Sequence, residues 1–475
     1  MFFKQGQEEN AAYYTVDNTK TRDVSFFSTA TYSYDGRYTL NGTIRYEGSN
    51  KLGRSRKARW LPTWNVSAAW NAHEEKFWQK IRPIVSNLTL KASYSLTADR
   101  GPSLVSNSLA IIQAFNAWRP FTDVSETGAQ VVYDENRNLT YEKKHEFNIG
   151  LDAGFLNNRI NLTVDWYKRN NYDLIGIYYG KGLGTSITNY PNVASMESHG
   201  VEVSLSTVNI KLKDFSWNTD FVFSDARNKV TNLKSNTTVI SMVSGNGFAL
   251  EGYPVRSLFS FDFKGLNENG YPTFINEDGE LTTSNINFQE QVKKGHLVYE
   301  GPTDPPINGS LNNTFKYKNF ALNVFMTYSF GNVVRLDPVF HSSYSDLDAM
   351  PREFINRWTK AGDEKITNVP VIADRRANQQ DTYLSKAYNA YNYSTERCAK
   401  GDFIRMKEIS VDYQFPLKWI GKWGLTNLSL KLQATNLFLI YSDSKLNGQD
   451  PEFMNTGGVA TPMPRQFTLT LRLGL

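Results

Sequence analysis

Residues 141–175 read YEKKHEFNIGLDAGFLNNRINLTVDWYKRNNYDLI, and this stretch decides the fold. Apolar side chains stand at every second position over residues 145–155 and again over residues 162–166, and the connection at 154–159 is short and polar. Successive side chains of a β-strand point to opposite faces, so strict alternation is typical of a strand with two different faces. The stretch therefore predicts a β-hairpin with one apolar and one polar face.

The same alternation recurs along the chain, at residues 38–47, 88–97, 201–205, 409–415 and 467–475. Many of these segments run for nine residues or more, which is longer than the usual strand of a soluble protein. A tilted strand that crosses a membrane needs about 9–11 residues. Strand length therefore favours an all-β, transmembrane antiparallel barrel.

The second face carries charge in mid-strand, at Arg45, Lys91, Asp152, Asp165, Glu202, Lys431 and Arg472. A soluble sandwich would place this face in bulk water, whereas a large barrel would place it in a hydrated lumen. The sequence alone does not separate these two placements.

Short and long connections alternate, which is typical of outer-membrane barrels with short periplasmic turns and long extracellular loops. Short ones are predicted at residues 33–37, 154–159, 209–215, 317–320 and 416–425, and long polar stretches lie near 98–136, 171–195 and 331–400. Fourteen obvious strands break this alternation between Phe215 and Phe315. An odd number, thirteen or fifteen, restores it, and we expect fifteen, with one additional strand within residues 265–300.

The composition agrees with one large barrel over residues 1–475. The chain has 26 Tyr, 29 Phe and 10 Trp, mean hydropathy is −0.48, and we find no linker that would mark a domain boundary. Aromatic side chains are favoured at membrane interfaces, although any all-β protein is rich in them. A net charge of +5 without a long basic tract predicts no nucleic-acid partner. Residues 1–10 lack the features of a signal peptide, so we expect any export signal to lie outside this chain.

No motif predicts covalent chemistry, a metal or a cofactor. Residues 180–185 are glycine-rich but lack phosphate-loop spacing. Residues 267–270 and 276–280 contain Asn-Gly and Asp-Gly, which favour turns over a calcium loop. The five histidines are scattered, and the lone Cys398 is interpreted as an ordinary loop residue. We therefore expect no enzyme.

One long polar stretch, residues 333–400, contains the aromatic residues Trp358, Tyr383, Tyr388, Tyr391 and Tyr393. Exposed aromatic side chains can stack on sugar rings or anchor a protein interface. The alternative is that they pack against one another inside a compact loop. Contact with a substrate or with a partner protein is the hypothesis for these five residues.

Six blocks of the sequence, in order, resemble the SusC/RagA family of TonB-dependent outer-membrane transporters. They are YTLNGTIRYEGSNKLG at 38–53, WLPTWNVSAAW at 60–70, the hairpin at 141–175, SHGVEVSL at 198–205, GDFIRMKEISVDYQFP at 401–416 and ATNLFLIYSDSKLNGQDPE at 434–452. Each block is also an ordinary amphipathic strand, and their number and order make the resemblance specific. Departures include Glu47 and Asn50 in the RYEGSNK turn of the first block and a final Leu475 where such barrels often end in Phe.

The resemblance implies import of oligosaccharides or oligopeptides across the bacterial outer membrane. The partners it implies are a SusD-like lipoprotein, TonB acting through an N-terminal part not in this chain, and outer-membrane lipid. The family barrel has twenty-two strands, so fifteen here would be its C-terminal portion, and a second chain or segment is expected to complete it. A passive porin and a soluble secreted β-rich enzyme are the alternative functions.

Overall fold

A computed structural model describes residues 20–52, 56–101, 111–117, 126–133, 136, 138–176, 178–179, 188–234, 237–289, 296–340, 352–372, 384–454 and 462–474. The strands in these residues are β1 (Asp23–Tyr34), β2 (Tyr38–Ser49), β3 (Trp60–Asn71), β4 (Val85–Asp99), β5 (Ile111–Ala117), β6 (Glu126–Tyr133), β7 (Glu142–Phe155), β8 (Ile160–Ile175), β9 (Tyr178–Tyr179), β10 (Thr188–Asn189), β11 (Asn192–Lys211), β12 (Phe215–Leu233), β13 (Ser257–Phe261), β14 (Phe263–Leu266), β15 (Pro272–Ile275), β16 (Leu281–Thr282), β17 (Leu297–Pro302), β18 (Ile307–Tyr317), β19 (Phe320–Phe330), β20 (Val333–Arg335), β21 (Cys398–Lys400), β22 (Phe403–Gln414), β23 (Asn427–Ser442) and β24 (Gln466–Gly474).

Helices are few and short. They are α1 (Arg56–Arg59), α2 (Val239–Val243), α3 (Leu384–Asn392) and α4 (Leu417–Ile420), with 3-10 turns at Ala72–Glu74, Lys76–Lys80, Arg352–Asn356, Asp363–Lys365, Thr395–Arg397, Gly421–Trp423, Ser444–Leu446 and Pro451–Phe453. In the part of the chain that the structure describes, no helix is long and apolar enough to cross a membrane.

In the described residues the main sheet is antiparallel and has thirteen strands, in the order β1-β2-β3-β4-β7-β8-β11-β12-β18-β19-β22-β23-β24. Its neighbours follow one another along the chain, as in a barrel wall built from successive hairpins. The described residues contribute thirteen strands, the other odd number that the alternation allowed, where fifteen were expected. The segment 265–300, where a further spanning strand was expected, forms β14–β16 and β17, which pair in separate small sheets.

Every second connection of the main sheet lies at one end, which is called the short-turn end because four of its six described connections are tight turns. Tight turns occupy residues 35–37, 156–159, 212–214 and 318–319, and longer connections at 72–84 and 415–426 lie at the same end. In the turn after β7, Leu156, Asn157 and Asn158 all have a positive φ, between 53° and 61°. Left-handed residues match the twist of a tight hairpin, and Asn adopts them readily.

The two faces of the sheet differ as the alternation predicts. One row of paired positions crosses the sheet through Leu90, Leu151, Val164, Val203 and Phe223. The adjacent row is polar: Lys91 lies opposite Gly150, which lies opposite Asp165, followed by Glu202. Lys91 also forms an ion pair with Asp152. The apolar face is the one suited to lipid and the charged face the one suited to a wet lumen.

Aromatic side chains cluster on the apolar face near the short-turn end. Phe320 and Tyr413 pair across β19 and β22 with ring centroids 4.5 Å apart, and Trp217 stacks on Phe315 at 5.6 Å. The Trp70 indole nitrogen donates to the Glu75 carboxylate over 3.3 Å. Amphipathic rings at one level form the aromatic belt expected at a membrane–water interface.

The main sheet has two open edges, β1 and β24, which are not paired to each other in the described residues. Every residue of β1 is exposed. Unpaired backbone groups cannot be left facing hydrocarbon, because each costs several kcal/mol there. The thirteen strands are therefore a portion of a barrel wall, not a closed barrel.

Candidate functional site

At the end of the sheet opposite the short turns, two long connections fold together into one body. The loop unit comprises the described residues 237–289, 296–306, 331–340, 352–372 and 384–402. Its core is formed by ten buried residues: Val239, Val243, Phe261, Phe274, Ile286, Val339, Phe340, Phe354, Ala390 and Tyr391. The members come from segments about a hundred residues apart, so the long polar stretch at 331–400 is part of a folded body together with the connection between β12 and β18.

A buried arginine joins the segments of the loop unit. Arg335 of β20 is 6% exposed. Its guanidinium donates to the carbonyls of Ser394 (2.7 Å), Phe259 (2.7 Å) and Val243 (3.2 Å), and to the Ser260 hydroxyl (3.1 Å). Burial disfavours the charged form and lowers the pKa of Arg335. The carbonyl dipoles compensate for this loss of hydration, so that one cation fixes four chain segments.

A buried amide adds a second link. The Asn392 side-chain oxygen accepts from the backbone N–H groups of Val339 (3.0 Å) and Phe340 (3.2 Å), and its nitrogen donates to the Phe340 carbonyl over 2.8 Å. Asn392 thus satisfies a stretch of backbone that has no sheet partner, as buried polar groups require.

The connection between β23 and β24 clasps the base of the loop unit, and its described residues 443–454 are called the strap. Leu446 is fully buried against Val334, Leu336 and Ala399. The Asp443 carboxylate accepts from the Lys400 backbone N–H over 2.9 Å.

An ion-pair network holds the strap to the barrel wall. Arg405 of β22 is buried and pairs with Asp450 and with Glu452, the latter at 2.6 Å. Arg405 lies in the 401–416 block and its two acids lie in the 434–452 block of the sequence. The two blocks are therefore joined in space by one buried cation.

A cavity of about 530 Å³, called the mouth pocket, lies where the loop unit and the strap meet the ends of β18, β19 and β22. Its polar lining includes Arg256, Asp304, Asn308, Lys407 and Glu452. The volume is within the usual range of small-molecule sites, about 300–1,000 Å³. Because positively charged, negatively charged and neutral polar side chains all face this cavity, it suits a polar ligand better than an apolar one.

Three features determine which polar groups the wall of this pocket presents. Arg256 and Asp304 pair at 2.7 Å. Lys407 is the extra residue of a bulge in β22 against β19 and has no ion-pair partner among the described residues. Bulges often re-aim a side chain beside a functional site. The side-chain oxygen of Asn332, also in the lining, is buried and accepts no hydrogen bond in the described part of the chain.

Gly401 is required for the close approach of Asn332. A Cβ atom at position 401 would lie 2.7 Å from the Asn332 Cγ atom, well inside normal contact. The backbone N–H of Gly401 also donates to the Asn332 carbonyl over 2.9 Å. The glycine that begins the GDF motif therefore sets the shape of the pocket wall.

The five aromatic residues singled out from the sequence differ in their burial. Tyr391 is buried in the core of the loop unit, and Tyr388 and Tyr393 are partly buried against it. Tyr388 stacks on Phe340 with ring centroids 4.5 Å apart. Trp358 is half-buried, whereas Tyr383 lies outside the described residues. The core position of Tyr391 removes it from direct reach of a ligand, and burial raises its pKa. Ligand or partner contact by the others stays a hypothesis.

Trp358 packs over a glycine turn at the outer surface of the loop unit. Gly270 has a φ of +75°, and its backbone N–H donates to the Asn267 carbonyl over 2.9 Å. A Cβ atom on Gly270 would fall 2.5 Å from the Trp358 ring. The turns predicted at 267–270 and 276–280 are both confirmed, the second by the bond from the Gly279 N–H to the Asn276 carbonyl at 3.0 Å.

The most exposed apolar side chains of the loop unit lie close to Trp358. Ile355 is 77% exposed and Ile366 is 83% exposed. The Thr367 hydroxyl donates to the Asn356 carbonyl over 2.6 Å, which brings the two isoleucine-bearing segments together. We call Ile355, Trp358 and Ile366 the rim patch.

Sequence reasoning missed Arg335, Asn392, Arg405 and the mouth pocket. Arg405, Asp450 and Glu452 lie within the sequence blocks 401–416 and 434–452, so the resemblance of these blocks to the family could have pointed to them. Arg335 is one arginine in an apolar stretch, and nothing in the sequence indicates its partners. Cys398, expected in an ordinary loop, is buried in β21, where burial raises the pKa of its thiol. Among the described residues, no group of three or more His, Cys, Asp or Glu could hold a metal ion.

Known proteins place this architecture in a family. The family described as TonB dependent receptor-like, beta-barrel, matches residues 4–437. The chain belongs to this family and is an outer-membrane β-barrel of the TonB-dependent receptor and transporter class.

The chain is also similar to individual proteins of known identity. The chain is 27% identical over 484 residues to the TonB-dependent receptor SusC of Bacteroides thetaiotaomicron, covering 97% of this chain and 44% of that protein. It is 24% identical over 451 residues to the TonB-dependent receptor P3 of Formosa agariphila, covering 91% and 42%. Among solved structures, the RagAB peptide transporter superposes with a TM-score of 0.76 at 22% identity, covering 95% of this chain and 48% of that one. The chain thus spans less than half the length of the relatives it matches, and the solved structure supports the fold alone.

Proposed function

We propose that this chain forms the C-terminal wall of a transporter that imports oligosaccharides or oligopeptides across the outer membrane, driven by TonB. The observation that carries the proposal is the polar mouth pocket between barrel wall, loop unit and strap. The family supports energised transport, and polar lining supports a polar oligomeric ligand.

The proposal includes completion of the barrel. Residues 1–475 act as one barrel unit, and twenty-two family strands less the thirteen described here leave about nine to be supplied by another segment or chain. Two open edges in lipid would be too costly, because the backbone groups of β1 and β24 would face hydrocarbon unpaired. TonB would act through a part that is not in this chain.

The proposal also includes a SusD-like lipoprotein that closes over the loop unit. The rim patch is suited to such a contact, because a few apolar or aromatic anchors usually carry most of an interface's binding energy. Tyr383, Tyr388 and Tyr393 are secondary candidates for contact with the lipoprotein or the substrate. The barrel itself would catalyse no covalent reaction, and we assign no catalytic residue, cofactor or metal.

Replacing Thr327 by Trp tests the mouth pocket. Thr327 lines the cavity, so the indole would fill it, and we expect uptake of the ligand to fall at least about tenfold, the equivalent of roughly 1.4 kcal/mol of lost binding. Uptake by cells that depend on this transporter is the measurement. The matched control is Leu432→Trp, which adds an indole to the exposed apolar face. If Thr327→Trp and Leu432→Trp gave equal uptake, the mouth pocket would not lie on the transport route.

Replacing Ile355 and Ile366 together by Asp tests the lid contact. Buried anchors typically contribute about 2 kcal/mol or more each, so we expect the loss of both to weaken capture of the lipoprotein on the order of a thousandfold. The measurement is co-purification from detergent extracts. The control, Lys360→Asp with Lys365→Asp, places the same new carboxylates on the same segment outside the rim patch. The proposal of a rim contact fails if the lipoprotein is retained in full by the isoleucine variant.

The alternatives make different predictions. A passive porin would keep transporting after removal of TonB, whereas energised import would stop. A soluble secreted enzyme would be recovered without detergent. Uptake in strains with and without TonB distinguishes the first alternative from the proposed function.

A further inference from the structure

Two connections at the short-turn end are longer than a hairpin needs. Residues 72–84 and 415–426 contain thirteen and twelve residues, whereas the other four described turns at that end contain two to four. Hairpin loops of two to five residues suffice to join antiparallel strands. Both long connections fold into short helical turns, so each is a built feature of this end of the barrel.

Each connection has a large buried apolar side chain, and most of its other apolar side chains are exposed. Trp78 is buried, and its indole nitrogen donates to the Val85 carbonyl over 2.9 Å; in the second connection Ile420 is 1% exposed. The exposed apolar side chains are Phe77, Ile81 and Ile84 in the first connection and Leu417, Trp419 and Trp423 in the second. Trp423 is 73% exposed, which is a high cost in water for so large a ring.

Cations stand among these exposed apolar residues. Lys76, Lys80 and Arg82 lie in the first connection and Lys418 and Lys422 in the second, and none has an ion-pair partner among the described residues. The short-turn end as a whole is basic. Over residues 34–38, 72–84, 155–160, 211–215, 316–320 and 415–427 there are eleven Lys or Arg and four Asp or Glu, so this end favours a negatively charged surface.

Both connections continue the aromatic belt of the apolar face. Phe415 packs on Tyr413 with centroids 4.9 Å apart, and Tyr413 is itself in contact with Phe320. At the other connection, Glu75 accepts from Trp70 and pairs with Arg37 at 3.2 Å, which ties residues 72–84 to the neighbouring hairpin. The exposed aromatic and cationic groups therefore lie at the edge of the surface that faces lipid.

The two connections are far apart around the barrel wall. Six strands lie between β4 and β22 in the sheet, so the two connections are seven strand-to-strand steps apart. At about 4.8 Å between neighbouring strands, the separation along the wall is on the order of 35 Å. They are thus two separate contacts with the surroundings and not one patch for a single small partner.

We propose that residues 76–84 and 416–424 are anchors that bind the headgroups of anionic phospholipids in the periplasmic leaflet. The Trp, Phe, Leu and Ile side chains enter the boundary between headgroups and acyl chains, and the Lys and Arg side chains pair with lipid phosphates. Interfacial segments with apolar and cationic faces bind membranes in this way. Import itself does not require this site, so the anchors go beyond the proposed function.

Fluorescence quenching tests the anchors in the assembled barrel that contains this chain. The barrel is placed in phosphatidylcholine nanodiscs with increasing fractions of phosphatidylglycerol brominated on its acyl chains. The signal of Trp419 and Trp423 is the difference between wild type and the W419F/W423F variant. We expect strong quenching, and we expect Lys418→Gln with Lys422→Gln to raise the half-quenching fraction on the order of thirtyfold, from about 1 kcal/mol per cation.

The control pair is Lys360→Gln with Lys365→Gln on the loop unit, which should leave half-quenching unchanged. Absence of quenching in the wild type would place these tryptophans outside the lipid and overturn the proposal. The proposal would also be overturned if brominated phosphatidylcholine gave the same half-quenching fraction as brominated phosphatidylglycerol, both in the wild type and in the lysine variant. The anchors would then not distinguish an anionic headgroup from a zwitterionic one. Correct heat-modifiable migration of each variant verifies that the barrel has folded.

Discussion

Replacing Arg335 by methionine is expected to open the loop unit while leaving the barrel wall intact. Methionine keeps the apolar bulk but leaves three carbonyls and the Ser260 hydroxyl without their donor. Each buried group left unsatisfied costs about 1–3 kcal/mol, so the expected loss for the four groups is on the order of 4 kcal/mol or more. That is enough to change a closed unit into one that opens often.

Limited proteolysis of the detergent-solubilised barrel measures this opening. We expect new cleavage within residues 237–306 and 331–402 and unchanged resistance in the main-sheet strands. The control is Arg352→Met, because Arg352 is an exposed arginine of the same unit. A proteolysis pattern identical to that of the wild type would show that the loop unit does not depend on the buried cation.

Replacing Arg405 by methionine is expected to release the strap from β22. The change leaves Asp450 and Glu452 without their cation, and Asp450 has only 10% of its side chain exposed. Breaking a buried pair from one side costs about 3–5 kcal/mol, because the remaining charge is uncompensated. Since Glu452 lines the mouth pocket, we expect ligand affinity to fall together with the order of the strap.

Hydrogen exchange of residues 443–454 measures the release of the strap, and ligand titration measures the loss of affinity. The triple variant Arg405→Met, Asp450→Asn and Glu452→Gln removes all three charges and should recover part of the lost protection. If the single variant exchanged as slowly as the wild type, the ion-pair network would not be what holds the strap.

The strands were predictable because their signal is local. Alternation over residues 145–155 and 162–166 reports directly which face each side chain occupies, and the register of β7 with β8 confirms it. Asn-Gly and Asp-Gly marked the turns at residues 267–270 and 276–279 for the same reason. The number of strands was harder to predict. β14, β15 and β16 are two to four residues long, which is too short to show the alternation of a membrane-spanning strand.

The candidate site was much less predictable, because it depends on contacts between distant segments. Phe340 meets Tyr388 and Tyr391 across some fifty residues, and Phe261 meets the same cluster from another connection. Three of the aromatic residues singled out from the sequence, Tyr388, Tyr391 and Tyr393, lie in or against this core. Whether each one packs inward or faces outward depends on which loop lies beside it, and alternation within residues 333–400 carries no such information.

The most direct test of the account is the composition and mass of the complex that contains this chain after extraction of outer membranes in detergent. We predict recovery of the thirteen strands together with the segment or chain that supplies about nine further strands, and with a surface lipoprotein. Recovery of the chain alone, in buffer without detergent, would contradict both the completed barrel and the import function.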